Sequence, residues 1–143
     1  MVVQSIRLFI VGDLFSLKDF VDNSIFPEDI IIKDKSNVSF DFERDILRIW
    51  HPKVYTKYHD DEYEKWYLKF LELYHSKLVQ YGADDFQLEY YCFFLKQCNI
   101  EIFSSYLIKE FSKFNVSIPF TCVQYSQKRM KELANEYNFG YEE

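Results

Sequence analysis

Alternation and three-to-four spacing of apolar positions divide the chain into ten elements. Ile6, Leu8 and Ile10 share one face of a strand over residues 6–11, while Phe9 and Val11 stand with Arg7 on the other. That is the pattern of an interior strand covered largely on both sides. Gly12-Asp13 turns the chain, and Ser16 caps a short helix with Asp19 in the capping-box position. Phe15 and Phe20 fall where a hydrophobic staple would form, and the helix ends near Asn23-Ser24, ahead of Pro27. Val38, Phe40 and Phe42 alternate with Ser39, Asp41 and Glu43, a half-buried strand. A turn at Arg44-Asp45 leads into a partner strand over Ile46 to Trp50, so the two read as a hairpin closed by His51-Pro52. Residues 53–59 read as a loop.

The clearest element is a helix over residues 61–81. Tyr63, Trp66, Tyr67, Phe70, Tyr74, Leu78 and Tyr81 form one stripe, with Asp60 or Asp61 as N-cap and Gly82 as the stop. Phe86 to Lys96 predicts a long strand with an apolar centre, and Cys98, Ile100 and Ile102 a further one. Ser104 caps a helix through Phe114, with Leu107, Ile108, Phe111 and Phe114 inward. Val116 to Val123 follows as a strand, and Pro119 confines it to a sheet edge or a bulge. Ser126 caps a last helix, about 126–139, whose apolar face is Met130, Leu133, Ala134 and Tyr137.

The order β-α-β-β-α-β-β-α-β-α predicts a single α+β domain over 1–143, a mostly antiparallel sheet with helices on one face. No glycine-rich phosphate loop accompanies it, which argues against a dinucleotide fold. Phe9 to Val21 and Ile100 to Phe114 each run strand, serine cap, then Leu-Lys-Asp-Phe or Ile-Lys-Glu-Phe. This weak internal repeat fits a duplicated ferredoxin-like plan.

Composition changes this picture in one respect. Aromatics make up 20 % of the 143 residues, a level that suggests an interface. However, Phe, Tyr, Ile, Lys and Asn together number 58, against 12 for Gly, Ala, Arg and Pro, so A/T-rich coding explains most of the surplus. The net charge of −6 is the more informative quantity, because residues 60–103 carry 9 acidic and 4 basic groups. An acidic chain lacks the footprint of a nucleic-acid binder, and no apolar run is long enough to span a bilayer. The first fifteen residues, broken by Arg7 and without a cleavage signature, do not read as a signal peptide. Cys92, Cys98 and Cys122 form no CxxC pair and read as buried thiols in a reducing cytoplasm. They do not group with His51, His59 or His75 at zinc spacing, and no cofactor is expected.

The densest chemistry is His59-Asp60-Asp61-Glu62 with Glu64. Those carboxylates could hold a cation or form an acid–base pair, but they are also what the positive end of a helix favours. Asp84-Asp85 reads as a wet loop, and Asp41 with Glu43 as paired acids on a polar strand face able to meet a basic partner. His51 lacks a nucleophile at motif spacing.

Two stretches carry a family resemblance. One is Phe9-Ile-Val-Gly-Asp-Leu-Phe-Ser-Leu-Lys-Asp-Phe, continuing to Ile25-Phe26-Pro27, and the other runs from Ile100 to Ile118. With Trp50 ending a mid-chain strand, the chain over about residues 5–123 resembles the bacterial domain-of-unknown-function family numbered 4279. Such domains resemble those encoded beside polymorphic toxins, so the resemblance implies an immunity role and no catalytic residues. The expectation is a cytoplasmic, non-catalytic inhibitor that neutralises a basic toxin domain, most readily a nuclease, by electrostatic complementarity. Its expected contacts are Asp60, Asp61, Glu62, Glu64, Asp84 and Asp85, with Tyr58 and Tyr63 as aromatic anchors. Two alternatives stand beside it. One is a small enzyme or ligand-binding domain with an aromatic-lined pocket between the long helix and the sheet. The other is a homo-oligomeric structural protein pairing through the Pro119 strand or the Phe40 hairpin, whereas the inhibitor reading expects a monomer or weak homodimer.

Overall fold

The computed structural model describes residues 1–25, 37–57, 61–97 and 103–141. Its elements are β1 (Val2–Val11), α1 (Leu17–Asp22), β2 (Val38–Asp41), β3 (Ile46–Trp50) and β4 (Thr56–Lys57). They continue with α2 (Asp61–Gln80), β5 (Asp85–Phe94), α3 (Ser105–Ser112), β6 (Phe120–Gln124) and α4 (Gln127–Glu136). The expected strand over residues 98–102 lies outside the described residues.

The sheet order is β2-β3-β1-β5-β6, with β4 beside β1. β3 is antiparallel to both β1 and β2, so β1 and β2 run parallel with β3 slotted between them. In the same way β3 and β5 run parallel with β1 between them. These are two interleaved split βαβ units, the ferredoxin-like order. They lie within residues 2–94, so the plan is built from β1-α1-β2 and β3-α2-β5 rather than from the repeat that pairs Phe9–Val21 with Ile100–Phe114. α3 then carries the chain over to β6, which is parallel to β5 and forms an edge of the sheet.

Pro119 explains where that edge strand begins. Ser117 N–H donates to the Phe86 carbonyl, and the Ser117 and Pro119 carbonyls accept from Leu88 and Tyr90. The next donor in the ladder would be the N–H that proline lacks. Pairing is therefore broken after an isolated bridge at Ser117, and the regular strand starts at Phe120, later than Val116.

The staple forms as expected, with the Phe15 and Phe20 rings 6.4 Å apart. Leu17 and Phe20 of α1, the stripe of α2, and Leu107 and Phe111 of α3 cover Ile6, Leu8, Ile10, Leu88 and Tyr90 in one core. The fourth helix departs from the single-face expectation. α4 packs Met130 and Leu133 on Val3, Phe93 and Leu95, side chains of the opposite face. That face is apolar where Val3 pairs with Phe93 but polar where Arg7 pairs with Glu89 and Phe9 with Gln87. Only its apolar end requires a helix.

The loop expected over 53–59 contains β4, and its register exposes the main irregularity of the fold. Arg7 pairs with Trp50, but Gln4 pairs with Thr56. Two residues of β1 thus face the five residues 51–55, a bulge of three extra residues that opens the ladder around Ile6. Two hydroxyls from α2 close it. Tyr67 donates to the Ile6 carbonyl and accepts from His51 N–H at 2.7 Å. Tyr63 donates to the Val54 carbonyl at 2.9 Å and accepts, at a long 3.5 Å, from Ile6 N–H. Both rings are buried, and burial pushes both phenols well above their ordinary pKa.

Candidate functional site

Four strand ends coincide at one end of the sheet. Val11, the last residue of β1, pairs with Asp85, the first of β5, and Asp41, the last of β2, pairs with Ile46, the first of β3. The β1–α1 turn, the β2–β3 turn and the α2–β5 loop therefore meet there. They bring together Asp13, Asp41, Glu43, Asp45, Asp84 and Asp85, with Arg44 and Arg48 among the nearby cations.

The β1–α1 turn and the α2–β5 loop are held to each other backbone to backbone. Asp84 N–H donates to the Val11 carbonyl at 3.1 Å, and Ser16 N–H to the Tyr81 carbonyl at 2.9 Å. Gly82 has φ +99°, and a Cβ on it would overlap the Leu14 carbonyl, so this approach requires glycine. Asp45 takes a left-handed φ of +54° in the hairpin turn, and its Oδ1 accepts from Leu17 N–H at 3.1 Å. The hairpin thereby caps α1, beside the weaker Ser16 cap at 3.4 Å. Asp41 accepts Arg44 N–H at 3.1 Å and Arg44 Nε at 2.8 Å. The Arg44 N–H, followed by its guanidinium, holds the Asp41 carboxyl below its usual range. Asp13, Glu43 and Asp84 are exposed.

The expected contact residues divide between two places. Asp84 and Asp85 belong to this acidic end. Asp61 and Glu62 start α2, twenty residues long, which places them about 30 Å away at a rise of 1.5 Å per residue. There they are exposed and paired to Lys65 at 3.1 and 3.2 Å. Tyr63 and Glu64 are buried and offer a partner no surface, because the helix turns both toward the protein. Tyr58, His59 and Asp60 lie outside the described residues. Asp13 and Asp45 carry no local signal; only the topology adds them to Asp41 and Glu43.

His51 has a structural place. Its Nδ1 accepts from Lys53 N–H at 2.9 Å, and its ring packs 4.8 Å from Tyr63 and 5.2 Å from Trp66. Cys92 is buried, but Cys122 is exposed, against the expectation for a strand thiol, because β6 is an edge strand. Among the described residues, no three His, Cys, Asp or Glu side chains group so as to hold a metal ion, and no helix is long and apolar enough to cross a membrane. Comparison of the chain with protein-family models, curated proteins and solved structures returned no match in any of the three.

Proposed function

We propose that this chain is a non-catalytic binding domain that neutralises a basic protein, of the nuclease-toxin class implied by its sequence resemblance. The acidic end of the sheet is its docking surface. What supports this reading is the convergence of six carboxylates from three loops, two joined to each other by backbone hydrogen bonds and the third tied to them through the Asp45 side chain. Pre-organised loops lose little entropy on docking, and a field of one sign steers a basic partner and makes association salt-dependent. In this reading Asp84 and Asp85 remain contacts, joined by Asp13 and Glu43, while Asp61 and Glu62 lie too far off to share them.

The direct test is titration calorimetry against a basic domain of the nuclease-toxin class, taken from the neighbouring reading frame where one is encoded there. The reading predicts binding that weakens steeply with salt and is lost when Asp13, Glu43 and Asp84 are replaced together by lysine. Absence of binding, or binding indifferent to that triple replacement, overturns it.

A further inference from the structure

We infer that the helix-free part of the sheet face carries a binding site for a nucleoside monophosphate, with the base in a hollow between Trp50 and Tyr91 and the phosphate toward Lys53 and Lys57. This site faces away from α2 and does not depend on the protein-binding reading.

The hollow follows from the three-residue bulge. On the helix side, the opened ladder is filled by Tyr63 and Tyr67. On the other side it leaves a cavity of about 240 Å³ whose lining includes Ser5, Arg7, Trp50, Tyr55 and Tyr91. That volume is below the usual 300–1,000 Å³ of ligand pockets and suits a single ring system. Its aromatic side walls offer π-faces, the means by which proteins hold nucleobases.

The polar groups fit an edge with hydrogen-bond acceptors. Arg7 donates through Nε, at 2.8 Å, and through Nη2 to a single oxygen of Glu89, Oε2, which also accepts from Tyr91 at 3.3 Å. Arg7 Nη1 is left without a partner among the described residues. The guanidinium is fixed by Phe9 and Trp50, whose ring centres lie 5.7 and 5.9 Å from its carbon. A neutralised, oriented guanidinium with spare donors suits a carbonyl or ring nitrogen better than a free anion.

The anion has its own place. A second hollow of about 540 Å³ adjoins the first at Val54 and Tyr55 and is lined by Lys53 and Lys57 from the bulge side and Tyr137 and Asn138 from the end of α4. Two lysines beyond a ring-sized pocket match a phosphate carried on a sugar.

The test uses the full chain with Trp66→Phe, so that Trp50 alone reports by fluorescence. AMP, GMP, CMP and UMP are titrated beside their nucleosides. Expected are saturable quenching by at least one nucleotide and binding about tenfold weaker for its nucleoside, the loss of one charge-assisted contact. Lys53→Ala should lower nucleotide affinity toward that of the nucleoside and leave the nucleoside unchanged. Amide shifts at Ser5 and Tyr91 of the unsubstituted chain give a second readout should Trp66→Phe disturb folding. No saturable response to any nucleotide in either readout overturns the site. Equal binding of nucleotide and nucleoside overturns the phosphate position. Binding of a short single-stranded RNA more than about tenfold tighter than any mononucleotide replaces the proposed occupant with a strand.

Discussion

Replacing Tyr67 by Phe removes one oxygen atom and strands two backbone groups. The hydroxyl donates to the Ile6 carbonyl and accepts from His51 N–H at 2.7 Å, and both Tyr67 and Ile6 are fully buried. A net hydrogen bond contributes about 1 kcal/mol, and a buried group left unpaired costs roughly 1–3 kcal/mol. Ile6 is fully buried whereas His51 is only half-buried, so the larger part of the penalty falls on the Ile6 carbonyl. The expected destabilisation is therefore about 2–3 kcal/mol. For a domain of this size that lowers Tm by roughly 6–9 °C, at about 3 °C per kcal/mol. Tyr63→Phe should cost less, about 1 kcal/mol, because its bond from Ile6 is long at 3.5 Å. Urea unfolding at 25 °C, followed by circular dichroism with an unchanged slope, measures both. The double variant should depart from additivity by more than about 0.5 kcal/mol, since the two hydroxyls share Ile6. A Tyr67→Phe loss below about 0.5 kcal/mol would show that these tyrosines only fill space and that the ladder gap is satisfied in some other way.

Other outcomes follow from the same contacts. Because burial raises the Tyr63 and Tyr67 pKa in the folded state, their contribution is fully present below the unfolded value near 10 and is lost as pH rises above it. Unfolding free energies from urea titrations between pH 9 and 11.5 should fall, each of these two tyrosines adding a limiting slope of about 1.4 kcal/mol per pH unit, and Tyr67→Phe should remove one such increment. Asp45→Ala should cost about 1–2 kcal/mol through the lost α1 cap and the left-handed backbone, whereas Asp45→Asn, which keeps an acceptor and tolerates that φ, should cost under about 0.5 kcal/mol in thermal denaturation. Maleimide labelling of the native protein, mapped by peptide mass spectrometry, should modify Cys122 and leave Cys92 intact until denaturant is added.

The α+β class, the helix caps and the long aromatic helix are legible in the sequence because each rests on local periodicity. The Ser16, Ser104 and Ser126 side chains all accept from the residue three positions on, at 3.4, 3.4 and 3.1 Å. What local periodicity leaves out is partner choice. The spacing of Tyr63 and Tyr67 marks them as buried rings, but their hydroxyls meet Ile6, more than fifty residues away. β4 has two residues, too few to show alternation. An amphipathic α4 declares its apolar face but not the sheet face it will cover. That choice is written in Val3 and Phe93 opposing Arg7 and Glu89 along the same strands. The charge map has the same limit. Asp61 and Asp84 fall in one acidic stretch of sequence, yet a twenty-residue helix separates them, while Asp13 and Asp45 join Asp84 from elsewhere.

Amide chemical-shift mapping of the labelled chain, titrated with a basic domain of the nuclease-toxin class, tests most directly whether the acidic sheet end meets a basic protein. Shifts concentrated at residues 12–14, 41–45 and 83–85, and suppressed by added salt, are the predicted result. Shifts centred instead on Asp61 and Glu62, or spread with no focus, would contradict it.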